Sequence, residues 1–286
     1  MTSYAAPLTT ISPVTQERVI EPGHAWQDLG LRAAWRHREL LRVLVWRNIS
    51  VRYRQMALGM LWIVLEPLAL IGMLFVIFGM VLRLSSEGYP YPIFMFAGLV
   101  PFTFFNKAVI GISDSLRENM GLISKIYFPR ILLPLSAAAR DMFDIIVWLA
   151  LLVALAWYFG MTPNVRMLLL PAFLLLPLLT AAAVGLWLSV LIVRFRDVRH
   201  LLTIAIQLLM YGSPILYSPS VVPPKLMTLY QLNPLYWAIE AFRWALLGRP
   251  MAIAPEFFVS LGTVVVLLIG GLIVFARYER FAVDVQ

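Results

Sequence analysis

The sequence has no cysteine, so disulfides, thiolate metal sites and cysteine nucleophiles are excluded. Charge is scarce: 13% of the 286 residues are Asp, Glu, Lys or Arg, against ~25% in a soluble domain. There are three lysines against twenty arginines. No lysine follows a glycine, so the G-x-x-x-x-G-K-[ST] phosphate loop is missing and the chain is not expected to hydrolyse ATP by itself. The three histidines (His24, His37, His200) are widely separated and no H-E-x-x-H occurs, which argues against a metal site. The usual hydrolase and metal-dependent sugar-transferase signatures are absent as well.

Apolar residues are what the chain has in quantity: 61%, gathered into long runs. Such runs leave too little polar surface to hold a protein in water, and a bilayer is their natural solvent. The net charge of +8 lies in short blocks between the runs and builds no continuous basic surface, so nucleic acid is rejected as a partner. Residues 1–30 mix Pro, Thr, Ser and Glu without an apolar core. They read as a solvated, flexible cytoplasmic tail and not as a signal peptide.

A helix needs roughly 20 apolar residues to cross the hydrocarbon. Six segments qualify as expected spans: Leu58–Leu82, Ile93–Ile112, Ile131–Phe159, Leu168–Val193, Leu201–Tyr217 (short, ending near a proline) and Phe257–Ala276. The expected fold is therefore an all-α membrane protein. Residues 31–56 form an interfacial amphipathic helix and residues 57–280 a six-span domain. With the N-terminus in the cytoplasm, the cytoplasmic connections hold sixteen Lys and Arg and the opposite ones five. That bias places both termini in the cytoplasm.

Part of this positive charge sits at the start of the first run, in "WRNISVRYRQMALGMLWIVLEPL". On helical spacing Trp35, Trp46, Ile49 and Tyr53 share a face, and Arg36, Arg47 and Arg54 form a separate strip. Anchoring in the headgroup region explains the pattern. So does binding a phosphorylated lipid, because guanidinium pairs with phosphate oxygens through two parallel hydrogen bonds.

Within the spans, Glu66 precedes Pro67, and a protonated Glu66 can donate to a carbonyl freed by the proline. Arg140 and Asp144 are four apart and are expected to pair along one helix face. In residues 113–130, "SDSLRENMGLISKIYFPR", Ser115 and Glu118 fit a capping box and Leu122–Phe128 a short helix stopped by Pro129. Its apolar residues mark either a partner site or a helix lying on the membrane. In "LNPLYWAIEAFRWALLG", Asn233 caps, Pro234 takes the first helical position and Gly248 terminates. That helix is too short to cross. It reads as re-entrant or surface-lying, either an aromatic belt or a lid.

The segments "LLRVLVWRNISVRYRQMALGMLWIVLEPL", "ENMGLISKIYFPRILLP" and "LNPLYWAIEAFRWALLG" together resemble type-2 ABC exporter permeases, in the branch that exports O-antigen and other polysaccharides. The resemblance covers roughly residues 35–280. Glu66 departs from it, since glutamine precedes the proline in many relatives. The resemblance implies a homodimer working with two copies of a cytosolic P-loop ATPase, which would bind the ATP and Mg; this chain itself would hold no cofactor. A short cytoplasmic coupling helix (Leu122, Ile123, Lys125, Ile126, Tyr127) would dock on that ATPase. The substrate would be a polysaccharide on a polyprenyl pyrophosphate carrier in the cytoplasmic (inner) membrane. Arg47, Arg52 and Arg54 would attract the pyrophosphate. Trp62, Glu66, Phe102, Phe105, Tyr211 and Tyr217 would line the pathway, because sugar rings stack on aromatic faces. Three other readings remain open at this point: a type-2 permease for a small drug or lipid, an integral membrane enzyme acting on a lipid carrier, and an ion-coupled transporter using Glu66.

Overall fold

The computed structural model describes residues 35–54, 59–126, 128–162 and 164–281, and every regular element among them is helical. The tail, residues 1–30, lies outside the described residues. In chain order the helices are α1 (Arg38–Arg54), α2 (Trp62–Leu74, continued by π-helical turns over Phe75–Val81), α3 (Tyr91–Glu118) and α4 (Met120–Ile123). They are followed by α5 (Leu132–Tyr158), α6 (Leu170–Phe173), α7 (Leu175–Arg194), α8 (Asp197–Tyr211), α9 (Pro224–Gln231), α10 (Pro234–Leu247) and α11 (Pro255–Phe281).

Among the described residues five helical stretches are long and apolar enough to cross a membrane: Trp62–Val81, Tyr91–Glu118, Leu132–Tyr158, Val165–Arg194 and Pro255–Tyr278. They coincide with five of the six predicted spans. The segment predicted as Leu201–Tyr217 forms a helix only to Tyr211, 15 residues in all. At ~1.5 Å per residue it falls short of the ~30 Å hydrocarbon. Pro214 is the reason. It offers no N–H and disfavours helical backbone at Ser213. The chain turns inward there, and Ser213, Ile215 and Leu216 are buried.

The bundle is built round α3, which packs against α5, α7 and α10. Of its apolar window 78% is buried, against 22% for the Trp62–Val81 stretch and 17% for α11. Its sequence explains this: Phe94, Phe96, Phe102, Phe104 and Phe105 point in several directions round the helix, and all are covered. Inside a bilayer the apolar surroundings of a helix are already satisfied by lipid tails. Association then depends on close van der Waals fit and on small residues that let backbones approach. The contact of α3 with α7 shows this, because Ala181, Ala183 and Gly185 of α7 are all buried. A Cβ added at Gly185 would lie 2.7 Å from Ile112 Cγ2 and 2.9 Å from Ile112 Cβ.

At the other end of α3, α10 has the predicted caps. The Asn233 side chain accepts from Leu235 N–H at 3.0 Å, Pro234 opens the helix, and Gly248 ends it at φ 70°. Arg243 of α10 is fully buried, 3.1 Å from Glu240, with its guanidinium 3.7 Å from the Phe94 ring centroid and donating to the Ile215 carbonyl at 3.0 Å. Burial lowers its pKa to about 10 while Glu240 opposes the shift, so it stays cationic at neutral pH. Arg249 continues the cluster to Glu87 at 2.8 Å and Glu240 at 3.5 Å. These ion pairs hold the turn at residues 213–217 and the connection before α3 against α10.

Gly185→Leu is expected to force α3 and α7 apart and to cost about 1–3 kcal/mol, the usual range for overpacking. The check is the thermal midpoint of the detergent-purified protein. An unchanged midpoint contradicts the close α3–α7 packing.

Candidate functional site

At the end of the bundle remote from α10, α1 lies across α5. Leu44 and Ile49 are buried, whereas Trp35 and Trp46 are exposed, so the predicted aromatic face divides between bundle and surroundings. Asn48 donates to Ser136 Oγ of α5 at 3.2 Å. Arg52 Nη1 sits 2.7 Å from Asp144 Oδ2 and 3.2 Å from Asp141 Oδ1, both on α5 and both buried. Lys107 of α3 joins the group, 3.1 Å from Glu66 Oε2 on α2, 3.9 Å from Asp144 Oδ2 and 5.1 Å from the Trp148 ring centroid. Arg140 Nε lies 3.0 Å from Asp141 Oδ1. Among the described side chains, three cations thus face three carboxylates.

Two expectations are corrected here. Arg140 pairs with its neighbour Asp141, and Asp144 is turned toward Arg52 and Lys107 on other helices. Glu66 meets a cation, Lys107, and not a carbonyl freed by Pro67. Both corrections have one cause. A charge within a membrane span, buried as Asp144 is or exposed as Glu66 is, is stabilised most by a partner of opposite sign, and those partners come from helices distant in sequence.

Arg47 differs from Arg52. Its Nη2 donates to the side-chain oxygens of Asn48, at 3.3 Å, and of Asn119. Among the described residues no carboxylate pairs with Arg47 or with Arg42. Beside them one face of α1, formed by Arg42, Val43, Trp46, Arg47, Ser50 and Val51, bounds a shallow, open groove of about 560 Å³. Its walls are an indole, two valines and two cations without a neutralising acid. That combination suits the junction of an anionic headgroup and an apolar tail. Of the three arginines predicted to meet a pyrophosphate, Arg47 lines the groove and Arg52 is neutralised by α5. The side chain of Arg54 lies outside the described residues.

The α3–α4 corner is adjacent. Ser115 and Glu118 belong to the last turns of α3, with Ser115 Oγ donating to the Ile112 carbonyl at 2.7 Å, so the predicted capping box does not form. α3 runs on because nothing before Asn119 breaks it. Asn119 then makes the corner, and its carbonyl accepts Leu122 N–H and Ile123 N–H, each at 2.9 Å. The short helix spans Met120–Ile123, ending before the predicted Phe128. Met120, Lys125 and Ile126 are exposed, Leu122 and Ile123 half-buried, and Tyr127 lies outside the described residues. Asp114 pins the corner from inside, 3.3 Å from Arg117 Nε and 3.1 Å from Arg199 Nε on α8.

The predicted pathway residues separate into two sets. Trp62, Glu66 and Tyr211 are exposed on the bundle, and Tyr217 is half-buried, its hydroxyl bonded to the Tyr211 carbonyl at 2.9 Å and to Tyr230 Oη at 2.8 Å. Phe102 and Phe105 are buried in the core, 2% and 4% exposed. Sequence reasoning did not find Asp114, Asn119 or Arg199. No local spacing ties them together. Lys107 was open to recognition, since an intramembrane cation calls for an intramembrane acid such as Glu66.

These elements make an all-helical membrane bundle with a charged helix across one end and a short helix at the α3–α4 corner. The chain belongs to the ABC-2 type transporter family, whose model matches residues 39–247. It is 28% identical over 255 residues to the O-antigen export system permease protein RfbA of Myxococcus xanthus, covering 88% of this chain and 97% of that one. It is 29% identical over 206 residues to the protein of that name from Klebsiella pneumoniae, covering 72% and 79%. It is also 26% identical over 239 residues to the polysialic acid transport protein KpsM of Escherichia coli, covering 80% and 90%.

Asp144→Ala is expected to cost about 3 kcal/mol, because it removes the buried carboxylate shared by Arg52 and Lys107 and leaves Asp141 to Arg52 and Glu66 to Lys107. Glu66→Gln removes a half-exposed partner and is expected to cost under ~1 kcal/mol. Thermal midpoints of the two purified variants check this; equal shifts contradict the difference.

Proposed function

We propose that this chain is the membrane permease of an ATP-driven exporter that carries a polysaccharide linked to a polyprenyl pyrophosphate across the cytoplasmic membrane. The observation that carries the reading is the groove along α1, where Arg42 and Arg47 stand beside Trp46 without an acid partner. The relatives named for O-antigen and polysialic acid transport support the choice of a polysaccharide cargo. In this reading Arg42 and Arg47 take the diphosphate, Trp46 and the valines meet the first isoprene units, and Arg52 holds α1 in place. Arg54 joins the proposal by its sequence position alone.

ATP and Mg would be bound by a separate P-loop subunit, in two copies against a homodimer of this chain. The absence of a phosphate loop and membership of the ABC-2 family support that division of labour. The exposed Lys125 and Ile126, with Leu122, Ile123 and Tyr127, form the docking element for the ATPase. Both termini face the cytoplasm, by the distribution of Lys and Arg. Trp62, Glu66, Tyr211 and Tyr217 face the pathway. Phe102 and Phe105 act in packing, because the bundle covers them.

Arg47→Glu tests the reading. The variant is expected to insert normally, to co-purify with the P-loop ATPase and to lose export of lipid-linked glycan by an order of magnitude or more, about what one charged hydrogen-bonded contact supplies. Export at the wild-type rate rejects the carrier site. ATPase stimulation by small amphiphiles, with none by lipid-linked glycan, rejects the cargo.

A further inference from the structure

Asn119 occupies an unusual position for a carboxamide at a helix junction. Its side-chain oxygen accepts from Arg47, a groove-lining residue on α1. Its Nδ2 donates to the Ser115 carbonyl in the last turns of α3, at 2.8 Å. Its own carbonyl accepts the N–H groups of Leu122 and Ile123 and so closes the first turn of α4. The residue is 9% exposed. One buried side chain and its peptide group therefore touch the groove, the end of α3 and the whole of α4. Asp114 and Arg199 fix the corner from the far side. A shift at Asn119 is then passed to α4, because the end of α3 is held to α8.

We propose that Asn119 is a positioning residue that reports occupation of the α1 groove to α4. The inference rests on the carrier reading given above. In the empty groove one Arg47 N–H is held by Asn119. A diphosphate beside Arg42 and Arg47 offers oxygens with full negative charge, which outcompete a neutral amide oxygen for the guanidinium. Arg47 turns to the diphosphate and Asn119 loses its acceptor contact. Its side chain is then free to reorient about Ser115, and the peptide that anchors α4 moves with it. The two states differ in contacts that the diphosphate itself makes, as any ligand-driven shift requires. The coupling is reciprocal: a partner that prefers one position of α4 changes carrier affinity by the same factor. The Asn119 side chain lies outside the carrier's own contacts, so the link and the binding site can be separated by experiment.

The test uses the full complex of this chain with its ATPase in nanodiscs and undecaprenyl pyrophosphate as the probe. Asn119→Leu keeps the size of the side chain and the peptide carbonyl that closes α4. With the competing amide removed, it is expected to bind the probe at least as tightly as the wild type and to keep the basal ATPase rate. Stimulation of the ATPase by the probe should fall by roughly fivefold or more, the lower bound of common coupling factors. Asn119→Asp keeps an acceptor for Arg47 and adds a charge that competes with the diphosphate. It should weaken probe binding. A second readout needs no change at Asn119. The chain has no cysteine, so Met120→Cys gives a unique label site on exposed α4. Probe addition should change the spectrum of a spin label there, and Asn119→Leu in the same background should abolish the change. Full stimulation in Asn119→Leu, or an unresponsive label while the probe is bound, overturns the link and leaves the carrier site standing. A wild-type complex that does not bind the probe overturns both.

Discussion

The contact of Arg52 with Asp141 and Asp144 fixes the arrangement on which the rest depends. Two buried carboxylates on one turn of α5 are unfavourable without cations, because each loses its hydration and repels the other. Arg52 from α1, Arg140 from α5 and Lys107 from α3 supply them. The carboxylates thereby decide where α1 can lie. Once Arg52 is held against α5, the helical period turns Arg42, Trp46 and Arg47 to the groove. The proposed site for an anionic amphiphile is thus placed by an ion cluster that does not belong to it.

This arrangement gives the arginines of α1 two separate tasks. Arg52 is neutralised and structural. Arg47 is held by neutral amides and keeps its charge available for a ligand. Counting positive residues near a first span cannot separate these roles; the acids that distinguish them lie some ninety residues away on α5. At the other end of the bundle the same physics serves a structural purpose. Glu87, Glu240, Arg243 and Arg249 neutralise one another and clamp α10, a helix too short to cross a bilayer, to the connection before α3.

Much of the fold was legible because bilayer solvation imposes a length and a composition on each crossing. Five spans and the caps of α10 follow from apolar runs, Pro234 and Gly248. The misreadings arose where a local rule competed with a distant partner. A four-residue spacing suggested Arg140 with Asp144, but the tertiary arrangement brought Arg52 and Lys107 to Asp144. A capping-box pattern at Ser115 yielded to the continuation of α3. Apolarity alone extended the fifth expected span past Pro214, where the backbone turns inward. Of the candidate site, Arg47 and Trp46 were legible from helical spacing, whereas Arg42 was not assigned to the strip. Asn119 was not legible, since nothing in "ENMGLISKIYFPRILLP" distinguishes its amide from a surface residue.

The central claim is that this bundle moves an anionic lipid-linked glycan only under force delivered by a separate ATPase. Reconstitution of the chain in proteoliposomes, with and without its ATPase, tests it most directly by following a fluorescent polyprenyl-pyrophosphate glycan across the bilayer. The account predicts translocation that requires ATP and both proteins and stops when the Mg is chelated. Translocation by the chain alone, driven by a proton gradient or by no energy source, contradicts it.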